Sequence, residues 1–233
     1  MNNLVRWVRK TVRRKGFDMI HYAPWENLFS HFNIDLILDV GANIGQSYDS
    51  FRWAGFEGPI CSFEPCPETF RKLEAHPGTN WQKLPYALSD TTGQLKFYIT
   101  NYDNSNSLQK PSPGIVQLLG ETVVPAYRLD ELWNKQGFTA KNVFLKIDAE
   151  GHDLSVVKGA TGVLDRIPLI MLEVAPLPRF DQEPSLQTVV NVMHDLGYCV
   201  CRFEKNSFNF DAGLDVALDI VFAKEKALAG LPR

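Results

Sequence analysis

The segment that most constrains this chain is a short apolar run leading into a turn with two glycines, residues 35–45. Leu36 to Val40 has the length and apolar character of a buried strand, and a helix is predicted to begin at Ile44. Glycines between a strand and a helix let the backbone approach a ligand closely, and the helix directs free N–H groups towards it. The segment therefore predicts an α/β unit that binds a ligand beyond its first strand.

Two residues of this turn indicate the class of ligand. A dinucleotide-binding turn has the spacing G-x-G-x-x-G, in which the middle glycine makes room for a pyrophosphate. Here Asn43 occupies that position. Asp39, two residues before Gly41, would repel an anion but would suit a ligand that carries an ammonium group. The pattern favours S-adenosylmethionine (SAM) over NAD, and an NAD-dependent oxidoreductase is the alternative.

Composition bounds the class of protein. The chain has 233 residues, of which 45% are hydrophobic and 22% charged, as is typical of one globular domain. A net charge of -3 and a pI near 6.0 give no general attraction to nucleic acid. No apolar run approaches the roughly 18 residues of a membrane span, and no signal peptide follows the basic start. We therefore expect a cytoplasmic protein.

The beginning of the chain differs from the rest. Residues 1–16 carry six basic side chains and no acid, and their apolar residues fall largely on one helical face. We expect residues 1–34 to form a basic amphipathic helix with a short helical lead-in, and residues 35–233 to form the main domain. A basic amphipathic helix can make weak peripheral contact with an anionic membrane. A helix packed on the domain, with a solvated basic rim, is the favoured alternative.

Strand and helix signals alternate along most of the chain, which predicts an α/β sheet. The third strand is predicted over residues 81–88, and a helix over 153–165. The last two strands, over 198–203 and 217–223, have no helix between them and are predicted to be antiparallel neighbours. The polar, turn-rich stretch 101–114 is long enough to predict a functional or disordered loop.

Acidic residues follow several of these strands, at the edge where open parallel sheets bind ligands. Glu64 ends the second strand about 20 residues after the glycine turn, where an acid can accept hydrogen bonds from ribose hydroxyls. Acids at strand ends are common, because loops are solvated. The combination of Glu64 with the glycine turn is therefore what predicts a nucleoside site.

A second polar cluster, residues 146–153, follows a later strand. Helix capping explains Asp153, because a helix N-terminus favours negative charge. Capping does not explain the other polar residues gathered at this strand end. We therefore predict a catalytic or substrate-binding role for Asp148 and Glu150. His152 is a further candidate, although it could equally be an exposed turn residue.

Glu173, at the end of the following strand, could join this cluster. Three carboxylates this close would suit a divalent metal with oxygen ligands. They would equally suit the hydroxyls of a sugar. The residues leave a metal site and a hydroxyl-binding site as open alternatives.

With these residues assembled, the chain resembles the FkbM-type SAM-dependent methyltransferases. The resemblance covers roughly residues 35–225 and is carried, in family order, by residues 38–45, 63–65, 87–90, 145–153, 157–160 and 172–174. The first segment is shared by many methyltransferases. The Lys-Ile-Asp-Ala-Glu-Gly segment that ends at Gly151 is much more particular to this family.

The resemblance implies a Rossmann-like class I methyltransferase fold. This is a seven-stranded, mostly parallel sheet with an antiparallel last strand and helices on both faces. The resemblance also assigns the cofactor site. The methionine end of SAM falls to Asp39, Gly41, Ala42, Asn43 and Gly45, the ribose to Glu64 and the adjacent Pro65, and the adenine side to Leu88, Ser89 and Asp90.

The implied reaction is O-methylation, with S-adenosylhomocysteine (SAH) as the product. We predict a hydroxyl of a saccharide or glycan-type acceptor; a polyketide or other secondary metabolite, and a non-catalytic SAM-binding scaffold, are alternatives. The general base is predicted to be Asp148 or Glu150, with His152 next. Acceptor choice falls to segments 101–114, 148–153 and 174–182. Methylation of nucleobases is disfavoured, because the segment after Asp148 offers no aromatic side chain for stacking and adds negative charge.

Overall fold

A computed structural model describes residues 24–102, 105–113, 116–209 and 214–229. The predicted basic helix of residues 1–16 lies outside the described residues, so its predicted membrane contact stays a prediction.

Seven strands of the described chain form the main sheet, and three form a smaller one. The strands are β1 Leu36–Val40, β2 Ile60–Phe63, β3 Trp81–Leu84, β4 Ala87–Leu88, β5 Gly93–Thr100, β6 Leu118–Tyr127, β7 Val143–Ile147, β8 Leu169–Val174, β9 Tyr198–Asn209 and β10 Leu214–Lys224. The order in the main sheet is β3-β2-β1-β7-β8-β10-β9. The first five strands in this order pair in parallel, whereas β10 is antiparallel to both β8 and β9. The predicted seven-stranded, mostly parallel sheet with an antiparallel last strand is confirmed.

Six α-helices connect these strands within the described residues. They are α1 Trp25–His31, α2 Gln46–Trp53, α3 Pro67–Ala75, α4 Leu129–Lys135, α5 Asp153–Gly159 and α6 Leu186–Asp195. The prediction of one helix over 153–165 is wrong in its second half, where Thr161–Arg166 forms a 3-10 helix. Glycines weaken a helix interior, and a side chain at Gly159 would collide with the backbone of Ser89.

Side chains of the central strands alternate between two apolar cores. Leu38 and Leu145 point to the core shared with α4, α5 and α6. Ile37 and Phe144 point to the opposite core, which contains residues of α1 and α2. The predicted helices on both faces are confirmed. Helix α1 belongs to the second core, so the described residues before 35 pack on the sheet. The boundary predicted at residues 34 and 35 stays a prediction.

The second sheet has the order β4-β6-β5 and was not predicted. The single strand expected over 81–88 is wrong: β3 joins the main sheet, whereas β4 pairs with β6. Pro85 lies between them, and proline has no N–H to continue a ladder. The β5–β6 hairpin packs Phe97 and Val124 into its own small core. Its connecting segment reaches the carboxyl ends of the main strands, where the predicted site lies.

The turn after β1 begins at Gly41, whose backbone is pressed against the end of β7. Gly41 has φ +75°, and a Cβ there would lie 1.9 Å from the carbonyl oxygen of Asp148. The amide of Asp148 donates to the carbonyl of Val40 at 3.0 Å, which fixes this approach. Glycine is therefore required here by the contact between two strand ends, as well as by the backbone angle.

We expect Gly41→Ala to destabilise the fold by about 3 kcal/mol or more, because left-handed strain and overpacking add. The measurement is the free energy of unfolding in urea. Gly137→Ala is the matched control: its φ is +69°, but a Cβ there meets no atom within 4 Å. Strain alone should cost the control about 1 kcal/mol. Equal costs at the two positions would contradict the close approach of the strands.

Candidate active site

A cavity of about 250 Å³ lies beyond the carboxyl ends of the parallel strands. Six of the ten predicted cofactor residues line it: Gly41, Ala42, Asn43, Glu64, Pro65 and Leu88. All three predicted catalytic residues, Asp148, Glu150 and His152, also line it. The structure therefore brings most of the predicted site residues to one place.

The other four predicted cofactor residues lie behind the cavity wall. Asp39 is fully buried within the sheet. Gly45 has φ +107° and packs against Trp81. Ser89 and Asp90 neighbour the wall, where the hydroxyl of Ser89 lies 2.9 Å from Nε2 of His152. Direct contact between these four residues and a cofactor stays a prediction.

The amides of the glycine turn are already engaged within the protein. Gly41 and Ala42 both donate to the carbonyl of Phe63 at 3.0 Å. The amide of Asn43 donates to Oε2 of Glu64, also at 3.0 Å. A phosphate-binding turn would leave such donors free for the ligand. These three amides are therefore not free to bind a phosphate.

Glu64 is held at the end of β2 by two backbone donors. In addition to the amide of Asn43, the amide of Cys66 donates to Oε1 at 2.8 Å. A carboxylate has about four acceptor sites, so both oxygens can still accept from a diol. Burial raises the pKa of Glu64 to about 7, even though the two amide donors lower it. Hydrogen bonds from ligand hydroxyls would stabilise its ionised form.

Asp39 has a partner that the sequence did not predict. Lys146 of β7 pairs in register with Asp39, and its Nζ lies 3.2 Å from Oδ1. Ser62, in register on the other side, donates its hydroxyl to Oδ2 at 3.1 Å. The geometry therefore does not favour the expected contact between Asp39 and the ammonium of a ligand, because the ammonium of Lys146 already pairs with Asp39.

Three carboxylates converge at the part of the cavity formed by the ends of β7 and β8. Asp148 and Glu150 follow β7 and Glu173 ends β8, and one oxygen of each lies within 4.8 Å of the others. Glu150 has φ +50°, a strained angle for a residue with a side chain. Together with the following Gly151, it turns the chain so that Asp148 and Glu150 both line the cavity.

Arg179 provides the positive charge of this cluster. Its Nη2 lies 2.5 Å from Glu173, 3.4 Å from Glu150 and 3.6 Å from Glu183. The three acids outnumber the one guanidinium. Burial, and then the charges of neighbouring acids, raise the pKa of Glu150 well above its usual value and that of Glu173 to about 7. The cluster therefore suits proton acceptance near neutral pH.

A divalent metal would have to share these carboxylates with Arg179. The three acids have the oxygen chemistry that magnesium or calcium prefers. Nη2 of Arg179, however, already contacts Glu150 and Glu173. The metal alternative stays a prediction, and the guanidinium provides the charge compensation that a metal would otherwise supply.

His152 uses both ring nitrogens within the protein. Nδ1 lies 3.1 Å from the side-chain amide of Gln109, and Nε2 lies 2.9 Å from the hydroxyl of Ser89. If the Gln109 amide donates to Nδ1, then Nε2–H donates to Ser89. Burial lowers the pKa of His152 to about 4, so the ring is neutral at pH 7. This arrangement suits the positioning of two neighbours better than the removal of a proton.

The three segments predicted to choose the acceptor meet above the cavity. Ser107 is buried and donates its hydroxyl to the carbonyl of Glu150 at 2.7 Å. The amide of Ser112 donates to the carbonyl of Arg179 at 2.9 Å, and Phe180 is buried against Gly151. Parts of the predicted segments 101–114, 148–153 and 174–182 are thus in contact with one another.

Several residues of the site were not singled out from the sequence. The roof residues Asn106, Ser107 and Leu108 line the cavity, as does Tyr86 before β4. Arg179 lies in a loop without any motif. The polarity of the stretch 101–114 was the signal for the residues that line the cavity there, whereas the pairing of Arg179 with Glu150, Glu173 and Glu183 matched no sequence motif.

Residues 39–200 match the methyltransferase FkbM domain. The match covers more than half of the chain. The chain belongs to this family. The predicted membership of the FkbM methyltransferase family is thereby confirmed, and the glycine turn and the Lys146–Gly151 segment both fall within the matched region.

Part of the chain also resembles a curated protein. Over 144 residues it is 31% identical to the hexuronic acid methyltransferase AglP of Haloferax volcanii. The match covers 60% of this chain and 56% of AglP, so the chain spans just over half the length of that relative.

Solved structures similar to this chain are distant. LepI in complex with SAM is 11% identical, with 89% of this chain and 50% of that chain covered and a TM-score of 0.45. An S-adenosylmethionine-dependent methyltransferase from Mesorhizobium loti is also 11% identical, with 87% and 98% covered and a TM-score of 0.43. At these values the fold is established by the strand order of the chain itself.

A search for membrane spans covered the described part of the chain. None of its helices combines the length and the apolar character needed to cross a bilayer. The expectation of a cytoplasmic protein stays a prediction.

We expect Arg179→Met to lower the free energy of unfolding by about 3 kcal/mol at pH 8, because it leaves buried carboxylates without their cation. Burial already raises the pKa of Glu173 to about 7, so its ionisation disfavours the fold as pH rises through that value. The loss should therefore shrink as pH falls to 5, where the acids bind protons. Urea denaturation across this pH range measures it.

The exposed pair Lys96 and Glu121 provides the control for Arg179→Met. Lys96→Met should leave stability nearly unchanged at every pH, because exposed ion pairs contribute little. A loss at Arg179 that does not vary with pH would show that lost packing, and not charge, is responsible.

Proposed function

We propose that this protein is a SAM-dependent O-methyltransferase that transfers a methyl group to a hydroxyl of a saccharide or glycan-type acceptor. The observation that carries the proposal is the charge of the cavity. Its wall holds four acidic side chains, Glu64, Asp148, Glu150 and Glu173, and one basic side chain, Lys146. Arg179, outside the wall, adds a second cation beside Glu150 and Glu173. An excess of acid suits a cationic cofactor and a hydroxyl acceptor, and it disfavours phosphates.

The residues present fit the parts of SAM. Apolar wall residues such as Phe63, Pro65 and Leu88 provide a surface for a flat base next to Glu64, which suits a ribose diol. The engaged amides of the glycine turn, by contrast, offer little to a pyrophosphate. The same cavity therefore supports SAM in preference to NAD.

A sugar acceptor is supported by the relative and by the roof. The related AglP carries the name hexuronic acid methyltransferase. In this chain the acid cluster and the amide side chain of Asn106 line the same cavity. Such groups can satisfy the several hydroxyls of a sugar.

When bound, SAM supplies a methyl group attached to a positively charged sulfur. The residues of the cavity have to hold the acceptor oxygen in line with that group, and alignment of this kind provides much of the rate. The acceptor hydroxyl must also lose its proton as the new bond forms. A carboxylate of the acid cluster is placed to take it.

Of the two predicted carboxylate bases, Glu150 is better suited to this step than Asp148. Nζ of Lys146 lies 3.2 Å from Oδ2 of Asp148, so this carboxylate is already engaged by an ammonium. The pKa of Glu150 is raised well above its usual value by burial and by the neighbouring acids. We therefore assign the proton to a carboxylate oxygen of Glu150.

We expect saturating SAH to raise the melting temperature of the protein, and NADH to leave it unchanged. Affinity for SAH, measured by calorimetry, should rise between pH 5.5 and 7.5. The reason is that ribose hydroxyls favour the ionised form of Glu64, whose pKa is about 7. Glu64→Gln should weaken SAH binding about 10-fold and flatten this rise.

Glu57, an exposed acid outside the cavity wall, is the control position for Glu64. Glu57→Gln should bind SAH like the unaltered protein at every pH. Stabilisation by NADH without stabilisation by SAH would remove the proposed function.

We expect Glu150→Gln to lower turnover by about 100-fold or more while SAH affinity stays within about twofold, because a missing base affects only the proton transfer. Transfer of labelled methyl from SAM to a panel of sugar-nucleotides and glycans identifies the acceptor and measures the rate. Glu183→Gln is the matched control, because Glu183 also pairs with Arg179 but lies outside the cavity wall. Equal losses in both variants would exclude Glu150 as the base.

A further inference from the structure

Behind the glycine turn, Lys146 forms ion pairs with two carboxylates, and one of these carboxylates lines the cavity. Lys146 contacts Asp39 and Asp148, each at 3.2 Å. One ammonium therefore serves two carboxylates, and the group of three has a net charge of -1. A cationic ligand could therefore be bound by the carboxylate of this group that is exposed to the cavity.

Burial decides which carboxylate that is. Asp39 is 0% exposed, and the side chain of Lys146 is 6% exposed. The side chain of Asp148 is 30% exposed and lines the cavity. Asp39 is thus enclosed by the sheet, whereas Asp148, although it accepts a hydrogen bond from Lys146, faces the space where a ligand binds.

The backbone places Asp148 beside the first glycine of the turn. Its amide donates to the carbonyl of Val40, and its own carbonyl abuts Gly41 so closely that no Cβ fits between them. This is the part of the cavity at which the sequence predicts the amino-acid end of the cofactor. A carboxylate fixed there, which shares its one ammonium partner with Asp39, suits a second ammonium group.

We propose that Asp148, held in place by Lys146, binds the ammonium of the cofactor's amino-acid end, in the role that the sequence alone suggests for Asp39. Lys146 is a positioning residue: it pairs with the buried Asp39 and keeps Asp148 oriented towards the ligand. The inference rests on the proposed function, because it takes SAM as the cofactor. It also separates Asp148 from the proton transfer assigned to Glu150.

The test compares two ligands that differ in one part. SAH carries the amino-acid end, and 5′-methylthioadenosine lacks it but keeps the nucleoside and the sulfur. Calorimetry on the full chain gives both affinities. We expect Asp148→Asn to weaken SAH binding about 10-fold or more, as for a lost bond between charged groups, and to change the affinity for 5′-methylthioadenosine less than twofold.

A second variant tests the positioning role of Lys146. Lys146→Met alone would leave Asp39 buried without a partner and could unfold the protein. The double variant Asp39→Asn with Lys146→Met removes both charges of the buried pair while keeping their approximate volumes. It should lose SAH affinity selectively, as Asp148→Asn does, and adding Asp148→Asn to it should cause little further loss.

Each other outcome overturns the inference. Unchanged SAH affinity in Asp148→Asn would show that the ammonium binds elsewhere. Equal losses for SAH and 5′-methylthioadenosine would show that the residues only maintain the shape of the cavity. If the unaltered protein binds neither ligand, the proposed function itself fails. If the unaltered protein binds SAH and the variants bind it equally well, only the inference is rejected.

Discussion

The close contact between the ends of β1 and β7 is the constraint on which the site depends. Gly41 allows the backbone of Asp148 to approach, and Asp39 and Lys146 pair directly beneath this contact. Parallel strands place their carboxyl ends at one edge, so residues more than 100 positions apart become neighbours. The glycine turn and the acid cluster are thereby joined into a single cavity wall.

Electrostatics then determines what this wall can bind. Buried acids are tolerated only with a cation or with raised pKa values, and the site uses both means. Lys146 compensates Asp39 and Asp148, and Arg179 compensates Glu150 and Glu173. Each cation is shared by more than one acid, so the acidic side chains of the cavity wall outnumber their cationic partners. A cationic cofactor and a hydroxyl that gives up a proton both match that excess.

The sequence predicted those residues of the cavity wall whose position follows from a local pattern. Asp148, Glu64 and Glu173 could be placed because strand ends can be recognised and parallel strands share an edge. It carried no signal where two distant segments decide the outcome. The partner of Asp39, Lys146, follows 107 positions later, so no local pattern indicated that Asp39 already has an ammonium partner. Similarly, the strand predicted over 81–88 divides because β4 pairs with β6.

The sequence by itself determined the family, the order of the main elements and the group of acids around one edge of the sheet. These follow from residue spacing, apolar periodicity and the glycines of one turn, which are local properties of the chain. Only the tertiary structure decided which acids are matched, which reach the cavity, and that both nitrogens of His152 are engaged. Charge pairing and burial depend on distances between segments far apart in the chain, and no local pattern encodes those distances.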